Sequence, residues 1–176
     1  MLVLEEGYYS KDLEKVFRDN LAKRLKLMKP NWFMTIRLFK PGTGVSPDTL
    51  LRQRAEGLDG LHREIINRID RLLYGPRHNS WPADEKFAYF CRLETKAKNY
   101  YSTEPHFHIV FRIPLERYSD FEGIKEKLLV KLECLMRLRG FEPDIDLIRH
   151  DRKNLSYIAK HAVSDVLGIN TRNLPV

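Results

Sequence analysis

The chain reads as an α+β fold built on a split β-α-β antiparallel sheet of the ferredoxin or RRM-like kind, with helices on one face. Two observations predict it. Three segments alternate apolar and polar residues with a period of two, and they are separated by segments with apolar residues at helical spacing. After a first helix the order is β-α-β-β-α-β-α.

The elements follow in order. Leu13, Val16, Phe17, Leu21, Leu25 and Met28 form one apolar stripe, so Ser10 to Met28 is read as an N-terminal helix stopped at Lys29-Pro30. From Asn31 to Phe39, Trp32, Met34, Ile36 and Leu38 alternate with Phe33, Thr35, Arg37 and Phe39, which predicts a strand. Ser46-Pro47 then reads as an N-cap with proline at the first helical position, and Leu51, Leu58, Leu61, Ile65, Ile69 and Leu72 continue a helix to Gly75-Pro76. Lys86 to Glu94 alternates again, with Phe87, Tyr89, Cys91 and Leu93 on one side and Ala88, Phe90, Arg92 and Glu94 on the other. A polar loop over Thr95–Glu104 leads to a strand at His106–Pro114, where Phe107, Ile109, Phe111 and Ile113 oppose His106, His108, Val110 and Arg112. Asp120 to Arg139 is a helix closed by Gly140, Ile145 to Arg149 a short strand, and Asn154 to Leu167 a last helix closed by Gly168.

The length of 176 residues fits one domain over 1–176, with its core at about residues 31–166. A 43% hydrophobic and 31% charged composition is that of a globular protein, not of a disordered one. The net charge of +7 favours a polyanionic partner. The start MLVLEEGYYS lacks the basic and apolar regions of a signal peptide, and no apolar run reaches membrane-spanning length, so a cytoplasmic location and no membrane partner are expected. Cys91 and Cys134 are not spaced for zinc and are expected to be buried thiols.

The chemistry concentrates in two places. Phe107, Ile109 and Phe111 fix one face of their strand as core, so His106 and His108 must point to the other face, together with Arg37, Arg92, Glu94 and Arg112. Pairing the strands on either side of the Thr95–Glu104 loop would bring Glu94 near both histidines, a donor set suited to a divalent metal. Glu104 shares the parity of the histidines and is the rival third ligand. His150 and His161 are further candidates, whereas His62 and His78 carry no assignment. On the last helix Leu155, Ile158, Ala159 and Ala162 form the buried stripe, leaving Tyr157 and Lys160 as neighbours on the other side. A phenol with a pKa near 10 is a poor nucleophile at neutral pH, and a nearby ammonium and a metal-bound phosphate would both favour its phenolate.

Pro105-His106-Phe107-His108 followed by Tyr157-Ile158-Ala159-Lys160 resembles the HUH endonucleases, the replication initiators, relaxases and transposases that nick single-stranded DNA. The first segment is similar to the His-hydrophobic-His motif and the second to the Tyr-x-x-Lys motif of the Rep branch. Thr35-Ile36-Arg37 is similar to that branch's first motif, and INRIDRLLYG to stretches in replication proteins of filamentous phages and related prophage elements. The resemblance implies a single-tyrosine nickase of rolling-circle replication. It would use Mg²⁺ or Mn²⁺ on His106, His108 and Glu94, with Tyr157 as nucleophile and Lys160 assisting. Its partner would be a single-stranded, hairpin origin, with a host helicase and polymerase acting alongside. Arg37, Arg92, Lys96 and Lys98 are the expected phosphate contacts. A transposase or a relaxase is the nearest alternative. A non-catalytic RRM-like binder, stacking bases on Phe33, Phe39 and Phe90, is the alternative of another class.

Overall fold

Trp32, Met34, Ile36 and Leu38 alternate inward along the first strand, and the rest of the architecture is assembled against that face. The computed structural model describes residues 11–39, 55–96, 102–150 and 169–175. Their elements are α1 (Lys11–Met28), β1 (Trp32–Phe39), α2 (Ala55–Tyr74), β2 (Ala88–Lys96), β3 (Ser102–Arg112), α3 (Tyr118–Leu138), β4 (Glu142–Arg149) and β5 (Ile169–Arg172). The fold is α+β, with one open five-stranded antiparallel sheet in the order β4-β1-β3-β2-β5.

β1 and β2 are both antiparallel to β3, so they run parallel to each other with β3 between them. β3 and β4 are likewise both antiparallel to β1. α2 connects the first parallel pair and α3 the second. Both helices pack on the same face of the sheet, where Leu61, Ile65, Ile69, Phe121, Leu128 and Leu132 meet Met34, Ile36, Ile109 and Phe111. Side chains of this kind contribute roughly 1.5–3 kcal/mol each on full burial, so this layer dominates the stability. The two crossovers therefore have the same hand.

Both helices end where glycine takes a left-handed backbone. Gly140 has φ 75°. Its N–H donates to Arg137 O at 2.9 Å, and Phe141 N–H donates to Met136 O at 2.9 Å. That pair of bonds satisfies the last carbonyls of α3 and turns the chain into β4. Gly75, at φ 78°, closes α2 with its N–H on Arg71 O.

Four expectations are revised. The second face of the sheet is not wholly open: α1 lays Leu21, Leu25 and Met28 on Phe90 and Val110 there, with Phe33 and Ala88 alongside. Phe90 is consequently buried, because its ring fills the α1 interface. Cys134 is exposed on α3, since Leu132, Leu135 and Met136 form the inward stripe and Cys134 falls outside it; Cys91 is buried as expected. Both ends of the expected loop over Thr95–Glu104 are strand, as β2 runs to Lys96 and β3 begins at Ser102, and residues 97–101 lie outside the described ones.

β5 is an element the hydrophobic pattern did not show. It pairs with β2 from Arg92↔Ile169 to Tyr89↔Arg172. Its anchor is Arg172, whose two terminal nitrogens donate to the two carboxylate oxygens of Asp70 at 2.7 Å each, while Nε donates to Phe87 O at 3.1 Å. The guanidinium also lies 4.4 Å from the centre of the Phe87 ring. The expected last helix at 154–167 lies outside the described residues. Among the described residues no helix is long and apolar enough to cross a membrane.

Candidate functional site

Residues directly opposite in an antiparallel pair share a face, with Cβ atoms about 4.5–5.5 Å apart. The strand registers therefore write out the second face row by row. One row reads Asp144–Arg37–His106–Glu94, and the next Asp146–Thr35–His108–Arg92–Ile169. A third reads Ile148–Phe33–Val110–Phe90–Thr171. α1 covers part of the third row, and the histidines hold the first two.

The two imidazoles converge. Nε2 of His106 and Nε2 of His108 are 3.1 Å apart, with the rings nearly perpendicular at 83°. Two nitrogens each about 2.1 Å from a shared ion stand roughly 3.0–3.4 Å apart for ordinary bond angles, so the pair fits the geometry of adjacent ligands on one ion. His108 is the more enclosed, at 8% exposure. Its ring stacks on Phe33, centroids 5.4 Å apart, and its Nδ1 lies 3.2 Å from the hydroxyl oxygen of Thr35. Phe33 thus belongs both to the α1 cluster and to the wall of the histidine site.

Glu94 pairs with His106 in the β2–β3 register, the cross-strand approach its parity suggested. A register shift follows directly between Glu94 and Lys96, so the ladder is interrupted beside the histidines. Such bulges re-aim side chains and gather near active sites. Glu104 lies on β3 itself, within the same strand as the histidines. The side chains of Glu94, Glu104 and Lys96 lie outside the described ones, as do Lys98, Tyr157, Lys160 and His161 altogether. Among the described residues no group of three or more histidines, cysteines or acids is close enough to hold a metal.

The two arginines have different settings. Arg37 donates to Asp144 at 2.8 Å and to Asp146 at 3.3 Å. Partial burial lowers its pKa, but the attraction and hydrogen bonds of the two carboxylates outweigh that and raise it above its ordinary value. Arg92, opposite His108, is 1% exposed, so its guanidinium is enclosed in the fold. His150 sits past the far end of β4, its N–H on Asn31 O at 3.0 Å. Six residues of β1 separate that level from His106, about 20 Å along the strand, so the two do not meet. His62 is a core histidine packed on Tyr89 and Phe107, and His78 is buried in a short 3-10 turn after α2.

Three residues escaped the sequence reading. Thr35 meets His108 only through the β1–β3 register, which the local pattern of the residues does not encode. Asp144 and Asp146 were legible in principle: EPDIDLIR alternates from its first residue, and beginning the strand at Glu142 puts both acids on the histidine face. No family model matches the chain, and no curated protein or solved structure is detectably similar to it.

Proposed function

We propose that the chain is a divalent-metal-dependent endonuclease of the HUH type that nicks single-stranded DNA through a phosphotyrosine link and so initiates rolling-circle replication. The observation that carries this reading is the convergence of His106 and His108 at 3.1 Å, with Glu94 across the ladder from His106. The strand order β4-β1-β3-β2 with both crossover helices on one face supports the split β-α-β reading of the core.

Tyr157 and Lys160 belong to the segment between β4 and β5, the two parallel edge strands of the sheet, and their roles rest on the likeness of Tyr157-Ile158-Ala159-Lys160 to the Tyr-x-x-Lys motif.

In the mechanism, an ion on His106, His108 and Glu94 would polarise a non-bridging oxygen of the scissile phosphate and offset its developing charge. With an ion on its Nε2, His108 would carry its proton on Nδ1 and donate it to the Thr35 hydroxyl oxygen 3.2 Å away, so Thr35 would orient the ring. The Tyr157 oxygen attacks phosphorus in line, the phenolic proton passes to water, and the P–O3′ bond breaks with its electron pair on O3′, which takes a proton from water. The products are a 5′-phosphotyrosine and a free 3′-hydroxyl that a polymerase extends. Lys160 stabilises the phenolate. Arg92 adds positive potential from within the fold.

The test is covalent capture. A labelled single-stranded hairpin oligonucleotide with Mn²⁺ should give a denaturant-resistant adduct with the wild-type protein. Tyr157→Phe and the His106→Ala/His108→Ala double variant should give none. An adduct that survives in Tyr157→Phe at the wild-type rate removes the tyrosine from this role.

A further inference from the structure

Two of the cations expected to track DNA are committed elsewhere. Arg37 is shared by two aspartates and Arg92 is enclosed. A site that takes a polyanion needs positive charge beside it that is open to solvent. α1 supplies it. The helix packs on the histidine face through Leu21, Leu25 and Met28, and Phe33 joins that contact directly to the His108 ring.

One flank of α1 is turned to the C-terminal segment, where Arg24 donates to Pro175 O at 2.6 Å. On the other, Lys15, Arg18, Ala22 and Lys26 follow one another at three- and four-residue steps, and Lys29 stands just past the helix end. Lys15, Lys26 and Lys29 are exposed and Arg18 is half-buried. None of these four cations forms an ion pair within the described residues, although Asp19 borders the line. From Lys15 to Lys29 the track is about 21 Å long if measured as helix, the length of a few extended nucleotides.

We infer that this basic flank of α1 is the phosphate track that feeds single-stranded DNA to the histidine pair. The inference rests on the nickase reading for its destination, but the track can be tested apart from it. Binding of a fluorescent poly-thymidine oligonucleotide is measured without metal over a range of salt concentrations. Each single-strand phosphate contact contributes about 0.7 to the slope of log K against log salt. Lys15→Gln/Arg18→Gln/Lys26→Gln/Lys29→Gln should therefore flatten the slope by up to about 3 and weaken binding roughly 10- to 100-fold at moderate salt. Lys15→Arg/Lys26→Arg should bind as wild type, which guards against a variant that merely misfolds, and circular dichroism checks the helix content of each protein.

Unchanged affinity and slope in the quadruple variant overturn the track. So does a variant that loses binding to phosphatidylserine vesicles while keeping its DNA affinity, since that would make α1 a membrane-surface helix. A wild-type protein that binds through these residues yet never forms an adduct sinks the nickase and leaves the track standing.

Discussion

Thr35 holds the far nitrogen of His108, its hydroxyl oxygen 3.2 Å from Nδ1, across the β1–β3 ladder. A partner on one imidazole nitrogen fixes which way the other points, and loss of such partners typically costs about 10- to 100-fold in metal affinity. Thr35→Val, equal in shape but without the hydroxyl, should weaken Mn²⁺ binding by about tenfold or more. Thr35→Ser should keep most of it. Calorimetric titration with Mn²⁺ in the absence of DNA reads this directly, and equal affinity in Thr35→Val would show that the contact does not orient the ring.

The carboxylates beside Arg37 restrain the charge of the face. With Asp144 and Asp146 on its guanidinium, Arg37 offers a phosphate little net attraction. Asp144→Asn/Asp146→Asn should raise affinity for single-stranded DNA several-fold and steepen its salt dependence, because two repelling charges go and one cation is released. Arg37→Gln alone should change affinity by less than the double variant does. Fluorescence anisotropy at two salt concentrations separates these outcomes, and weaker binding in the double variant would count against a phosphate at this row.

These relationships also mark how far the residues alone could be read. Period-two alternation around Trp32–Leu38, Phe87–Leu93 and Phe107–Ile113 settled the core face of three strands, because a slip of one residue would have turned every large side chain to water. The same parity sent His106 and His108 to the other face. Which strands would be neighbours was a matter of long-range register, and so Thr35 beside His108 and Asp144 beside Arg37 could not be seen. α1 shows an amphipathic stripe but carries no address, and its docking on Phe90 is a tertiary choice. β5, with the sequence INTR, has no apolar alternation at all; backbone pairing with β2 and the bond from Arg172 to Asp70 hold it.

That bond makes the next prediction. Asp70 is 2% exposed and faces Arg172 at 2.7 Å, with Lys86 at 3.9 Å. Removing one partner of a buried pair leaves the other charge uncompensated, which usually costs about 3–5 kcal/mol. Asp70→Ala should lower the urea unfolding free energy by roughly that amount. It should also depress adduct yield, because β5 fixes the far end of the connection that carries Tyr157. A loss below about 1 kcal/mol would mean that the exposed side of Arg172 lets water take over the interaction.

Alkaline pH probes the layer between α2 and the sheet. Burial raises the pKa of Tyr89, and the Arg172 cation only partly opposes it; burial likewise raises that of Tyr74, although Phe87 N–H, donating to its oxygen at 2.7 Å, favours the phenolate. Both phenols ionise more readily in the unfolded chain than in the folded one. Their contribution is complete below the unfolded value of about 10 and is lost as pH rises through the folded values. The melting temperature should therefore fall above pH of about 10, and Tyr89→Phe should fall less steeply there. Tyr74→Phe should differ already at neutral pH, because Phe87 N–H would be left buried without an acceptor, at a cost of about 1–3 kcal/mol. Thermal melts of the three proteins across the alkaline range distinguish the two tyrosines, and identical alkaline slopes for wild type and Tyr89→Phe would show that Tyr89 does not couple folding to pH.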